Sequence, residues 1–187
     1  MSDKIRAFLS IDINEDKLLN EIFGIQRTLD QNAAKMKLVE RENIHFTWRF
    51  FGDTKIKRIE QIKEKLSEID FERFDIIIGG VGTFPNIRRP RVIWVGVLDN
   101  IDEMRELKDQ TDNLLAAIGY AKERRKFIPH ATIARVRSIN DKAGFQENIQ
   151  TIENQEVGKM TVSKISMTKS TLTSSGPIYE TLWQIEA

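Results

Sequence analysis

The chain has 187 residues, 40% of them hydrophobic and 30% charged, which is enough apolar material for one packed core. Its 29 Lys and Arg against 28 Asp and Glu leave a formal charge of +1, so no global field draws it to nucleic acid or an anionic membrane, and any basic site must be local. The absence of cysteine excludes disulfides, Cys-ligated zinc, iron–sulfur clusters and thiol nucleophiles, and fits a cytoplasmic protein; two histidines are too few for a His-rich metal site.

In chain order, the first 14 residues hold an apolar run too short, and too soon interrupted by Asp12, for a signal peptide. No run of roughly 18 apolar residues follows anywhere, so no membrane association is expected. Ile5 to Ile13 alternates as a strand, and Asn14 with Glu15 and Asp16 starts a helix carrying Leu18, Leu19, Ile22, Ile25 and Leu29 on one face. Two short strands are expected at Met36 to Val39 and Ile44 to Phe51, the second ended by Gly52-Asp53. Lys55 to Ile69 spaces its apolar residues as only a helix keeps on one side. Phe74 to Phe84 reads as a strand, with Gly79-Gly80-Val81-Gly82 as an irregularity within it, Pro85 to Pro90 as a basic loop, and Val92 to Leu98 as a buried central strand. Asn100 with Glu103 resembles a capping arrangement for a helix closed by Gly119. A strand at Ile128 to Val136, a helix at Lys142 to Ile152 and two strands, Met160 to Leu172 and Ile178 to Ile185, complete the chain. Strands that follow one another directly point to an α+β fold with mostly antiparallel pairing.

Both histidines stand in the same local pattern: His45-Phe46-Thr47-Trp48 and His130-Ala131-Thr132-Ile133. The chain has 12 threonines, so chance is a poor account of the same spacing at both histidines. A lone strand histidine is ordinarily a satisfied half-buried polar residue; the doubled pattern favours chemistry instead. Residues i and i+2 of a strand share a face, so each pattern sets an imidazole beside a hydroxyl while Phe46 and Trp48 cover the core side. If two similar halves bring the pairs together, one imidazole can remove a proton and the other supply one at a phosphorus centre, while the threonines donate to phosphate oxygens. A zinc site would need carboxylate partners at ligand spacing, and none is recognisable.

This doubled H-x-T motif resembles the signature of the 2H phosphoesterase superfamily, and the chain is similar to its RNA 2′,3′-cyclic phosphodiesterase branch, also called 2′-5′ RNA ligase. The similarity includes Phe50-Phe51-Gly52-Asp53, Phe84-Pro85, the run Arg89 to Gly96, Phe127 to Arg135, and Ser175-Gly176-Pro177-Ile178-Tyr179. Trp48 and Phe51 stand where the family often has leucine. The resemblance implies a bilobal α+β fold over residues 1–187, one domain of two intertwined, pseudo-symmetric lobes with antiparallel sheets flanked by helices and a cleft between them. It implies no metal and no cofactor. The implied substrate is RNA with a 2′,3′-cyclic phosphate end, opened to a 2′-phosphomonoester, with His45 the proton donor, His130 the proton acceptor, and Thr47, Thr132 and Arg135 holding phosphate. No obligate protein partner is implied. Ligation by the reverse reaction and a non-catalytic RNA-end binder are the alternatives.

The family's arginine raises a problem of parity. Arg135 lies five residues after His130, so an unbroken strand would turn it away from the cavity; a bulge or a strand end near Ala134 would bring it back. Two basic segments, Arg88 to Arg91 and Lys122 to Lys126, are candidates for gripping an RNA backbone. Among the aromatics, Phe46, Trp48, Trp94 and Phe127 are expected in the core, and Phe84 at the cleft mouth.

Overall fold

The computed structural model describes residues 3–187. Among them, nine strands and four α-helices run in the order β1 (Lys4–Asp12), α1 (Asp16–Thr28), β2 (Ala34–Leu38), β3 (His45–Lys55), α2 (Ile56–Leu66), β4 (Phe74–Phe84), β5 (Val92–Asp99), α3 (Ile101–Ala117), β6 (Ala131–Ile139), α4 (Lys142–Ile152), β7 (Glu156–Val162), β8 (Lys164–Leu172) and β9 (Pro177–Glu186). All pairings are antiparallel, and the sheet order is β7-β4-β5-β6-β3-β1-β8-β9, with β2 added beside β6. The fold is therefore α+β and bilobal.

That order reads the same from either end. β6 and β3 stand at the centre, β5 answers β1, β4 answers β8, and β7 answers β9. One lobe is the half-sheet β3-β1-β8-β9 and the other is β7-β4-β5-β6. The chain passes to the second lobe after α2, which leads from β3 into β4, and returns after β7, at Ser163, to β8 of the first; β2, between α1 and β3, also sits in the second lobe beside β6. The helices cross too. α1 follows β1 but packs on β6 and β7, while α3 follows β5 but is bound to β3 through Trp48 Nε1, which donates to Thr111 Oγ1 at 3.1 Å, and through Arg49 and Asp112.

The amphipathic stripes behave as expected. Leu18, Leu19, Ile22 and Ile25 of α1 and Ile59, Ile62 and Leu66 of α2 are all buried in one apolar core. Four local expectations change. Gly52-Asp53 does not end β3; the extra residue Phe51 is absorbed as a bulge against β1 and the strand runs on to Lys55. The run from Met160 to Leu172 is two strands, because the chain leaves the β4 edge at Ser163 and crosses to β1 as β8. Asn100 does not cap α3: its backbone is left-handed at φ 58° and its Nδ2 donates instead to the Asp75 carbonyl. The second motif's strand begins at Ala131, leaving His130 on the extended segment before it. The irregularity foreseen at Gly79 to Gly82 is a register shift between Gly79 and Val81.

No helix among the described residues is long and apolar enough to cross a membrane.

Candidate active site

The two half-sheets meet at one ladder pair among the described residues, Phe46 of β3 opposite Ala131 of β6. Both side chains are fully buried and point into the core. Their neighbours must then point the other way. In an antiparallel pair, the residue before one partner faces the residue after the other, so His45 stands across from Thr132 and Thr47 across from His130. Two patterns that lie 85 residues apart along the chain thus form one alternating square of imidazoles and hydroxyls.

The two rings are held alike. Nδ1 of His45 lies 2.8 Å from the Asn43 carbonyl, and Nδ1 of His130 lies 2.7 Å from the Ile128 carbonyl. A carbonyl only accepts, so each Nδ1–H donates, and Nε2 of each ring is left as the nitrogen that can exchange a proton with a ligand. In neutral His45 that nitrogen accepts from the Thr47 hydroxyl at 3.1 Å. Burial pushes both imidazoles below the ordinary histidine value, because it penalises the charged form. For His45, the Asn43 carbonyl and the Asp12 carboxylate work in the opposite direction, whereas Arg135 and His130 add to the lowering. For His130 only the Ile128 carbonyl opposes burial.

Arg135 joins the site through the bulge that its parity required. Ile93 of β5 pairs with Ala134 and Trp94 with Thr132, so Ile133 is an extra residue. Ile133 and Ala134 are both fully buried, and Thr132 and Arg135 emerge on the same face. A cavity of about 280 Å³, near the lower end of small-ligand sites, is lined by His45, Thr47, Thr132 and Arg135. The first half repeats the device. Leu9 pairs with Arg49 and Ser10 with Thr47, so Trp48 is the extra residue, and Phe50 emerges beside Thr47 on the cavity side.

Each imidazole is backed by two aromatic rings. Phe8 stacks on His45 at 4.9 Å and Tyr179 meets it edge-on at 5.3 Å; Phe84 meets His130 edge-on at 4.8 Å, with Trp94 at 6.1 Å. Trp94 reaches that position by lying across Gly82, where a Cβ would collide with the indole. Phe46 and Trp48 are core residues as expected, and Phe127 packs edge-on against Trp48. Phe8, Phe50, Asp12 and the role of Tyr179 as a wall went unread in the sequence, since only the β1–β3 and β8–β9 pairings bring them to His45. The basic segments 88–91 and 122–126 are exposed at Arg88, Arg89, Arg91, Lys122, Arg124 and Arg125. Among the described residues, no group of three or more His, Asp or Glu side chains is placed to hold a metal ion.

A model of the LigT-like phosphoesterase family matches the chain twice, over residues 11–94 and 95–179, each match containing one His-x-Thr pattern. The chain belongs to this family. Among its LigT-like relatives, an RNA 2′,3′-cyclic phosphodiesterase of Methanothermobacter thermautotrophicus is 40% identical over 179 residues, covering 94% of this chain and 95% of its own. One of Aeropyrum pernix is 35% identical over 170 residues, covering 91% and 97%. The structure of E. coli LigT complexed with 3′-AMP superposes with a TM-score of 0.77 over 98% of both chains at 18% identity, a likeness of fold. The twofold family match is the sequence counterpart of the palindromic sheet: each match supplies one of the two central strands.

Proposed function

We infer that this protein hydrolyses RNA 2′,3′-cyclic phosphate ends to 2′-phosphomonoesters without a metal, with His45 as proton donor and His130 as proton acceptor. The observation that supports the reading is the Phe46–Ala131 pair, which joins the two His-x-Thr strands at their motifs. The names of the archaeal relatives support the same substrate.

In this reading a water oxygen bonds to phosphorus as the P–O3′ bond breaks. Nε2 of His130 takes the water proton and Nε2–H of His45 gives its proton to O3′, so that charge never accumulates on either oxygen. Asp12 favours the charged form of His45, and no carboxylate does so for His130, which supports this division of roles. Thr47 and Thr132 donate to the nonbridging oxygens, and the Arg135 guanidinium bridges two of them. The exchange of strands and helices between lobes supports residues 1–187 acting as one domain, and an RNA substrate fits a cytoplasmic location.

Joining of RNA ends is the second reading, favoured by the exposed cations of segments 88–91 and 122–126, which flank the strands of the His130 lobe. A 5′-hydroxyl strand held there would replace water as the nucleophile.

The test is incubation with a nucleoside 2′,3′-cyclic phosphate in EDTA, with the product identified. A 2′-phosphate is expected; a 3′-phosphate, or activity abolished by the chelator, overturns the reading. His45→Ala and His130→Ala should each lower turnover by about 10² to 10⁴.

A further inference from the structure

The charge of the chain is nearly balanced, yet four of the five residues at 122–126 are Lys or Arg. A block of cations is ordinarily a mobile, solvated segment. This one differs in three respects. Its single acid, Glu123, turns to the buried Lys108 at 3.0 Å, and Lys122, Arg124, Arg125 and Lys126 have no acidic partner among the described ion pairs. The segment lies outside any helix or strand and is pinned all the same. Arg49 Nη2 donates to the Ala121 carbonyl at 2.6 Å, the Arg58 guanidinium stands 4.8 Å over the Tyr120 ring, and Phe127 packs on Trp48 at 5.0 Å. It also ends at the site, because the Ile128 carbonyl, two residues after Lys126, holds Nδ1 of His130.

The second basic loop, 85–91, leaves from the same imidazole. It follows Phe84, which meets His130 edge-on at 4.8 Å, and the Arg91 N–H returns to the Phe84 carbonyl at 2.7 Å. Within it, Asn86 Oδ1 accepts from the backbone N–H groups of Arg88 and Arg89 at 3.0 and 3.1 Å. Arg88 and Arg89 are exposed and likewise have no acidic partner among the described ion pairs. Both loops are thus fastened to the supports of His130. In the cavity beside His45, by contrast, Lys37 is already paired with Glu40 at 3.4 Å.

We propose that these two loops form a cationic rim on the His130 side, which grips the phosphates of the RNA chain upstream of its cyclic end. The proposal rests on the reading of the His–Thr square as the seat of that end. Loops held in place before the RNA arrives lose little freedom when it binds. With the cyclic end in the square, the preceding phosphates are tethered nearby and meet the rim at a high effective concentration. Contacts of this kind read charge and not sequence, so the rim favours a polymer over a mononucleotide without choosing among bases.

The experiment compares kcat/KM for adenosine 2′,3′-cyclic phosphate with that for a single-stranded RNA of about ten nucleotides ending in the same group, at about 50 and about 200 mM salt. The wild type should prefer the oligonucleotide at low salt. Each neutralised phosphate contributes a log–log slope of about −0.7, so three contacts would shrink the ratio about 20-fold between the two salts. Lys122→Ala, Arg124→Ala and Arg125→Ala combined should flatten that dependence, whereas Arg124→Lys with Arg125→Lys should keep it. A wild-type ratio near one at low salt, or a salt dependence unchanged in the alanine variant, overturns the rim while leaving the hydrolysis reading intact. A ratio near one together with joining of a separately added 5′-hydroxyl oligonucleotide would give the rim to an incoming strand, and overturns the proposal too. No turnover of either substrate by the wild type removes the hydrolysis reading, and the rim with it.

Discussion

Phe46 and Ala131 face each other at the seam of the sheet, and both are fully buried. Every distance across the His–Thr square depends on how closely these two backbones approach. Ala131→Leu adds three carbons where no space exists, so it should destabilise the fold by about 1–3 kcal/mol and lower kcat/KM without altering the shape of the pH profile. Urea unfolding and steady-state kinetics would check it; a variant of normal stability and activity would mean that the seam is looser than the burial implies.

The two lowered imidazoles set a pH dependence of stability. An unfolded histidine titrates near 6.5, and burial holds both folded rings below that. Within this window the unfolded chain binds more protons than the folded one. Stability therefore rises with pH, is complete above about 6.5, and declines as the pH falls towards the folded values. The unfolding midpoint should be lower near pH 5 than near pH 7.5, and His130→Gln should show a smaller change over the same interval.

Asp12 lies opposite His45 in the β1–β3 register, and its two carboxylate oxygens accept from Ser10 Oγ and Ser166 Oγ, both at 2.8 Å. Among the charges around His45, Asp12 favours the imidazolium and Arg135 and His130 oppose it. Asp12→Asn should move the alkaline limb of the kcat/KM profile to lower pH, because the acid then loses its proton sooner. Movement of the acidic limb instead would make His45 the base.

Arg135 is exposed at the cavity with no acidic partner among the described ion pairs, which leaves its fork open to an anion. Arg135→Ala should lower kcat/KM by about 10²- to 10³-fold. Arg135→Lys should recover only part of it, since a point charge cannot bridge two oxygens.

Behind the site, Asp112 accepts from Arg49 at 3.1 Å and from Lys108 at 2.7 Å, with Lys108 only 2% exposed. Asp112→Ala would leave Arg49 without a carboxylate and Lys108 only the half-exposed Glu123 at 3.0 Å. A loss of about 3–5 kcal/mol is expected in urea unfolding. Loss of that size would reflect weakening of the α3–β3 connection, which the Trp48–Thr111 hydrogen bond also makes and which holds one half's helix beneath the other half's strand.

The periodicity of the apolar residues made the helices and most strands readable, and the doubled His-x-Thr pattern made the square readable. The bulge at Ile133 was readable only because the arginine expected to hold phosphate, Arg135, fell at the wrong parity. The same bulge at Trp48 carried no such contradiction, so the face on which Phe50 emerges was not readable. Arg49 gave no signal in the sequence, since its partner Asp112 lies 63 residues away. Asn100 and Glu103 had the spacing of a cap, yet a tertiary acceptor on β4 took the amide. The palindromic order of strands was not readable either, because the crossings after α2 and after β7 use connections no different in composition from turns within a lobe.

Those crossings govern what happens if the polypeptide is severed. A cut between α2 and β4 separates a piece carrying His45 from one carrying His130, and each piece then lacks a strand or helix that completes its own sheet. Neither could stand alone as a miniature of the whole, but the two remain shaped to clasp one another. Nicking this chain should therefore yield mutual rescue on mixing, rather than a pair of independent halves.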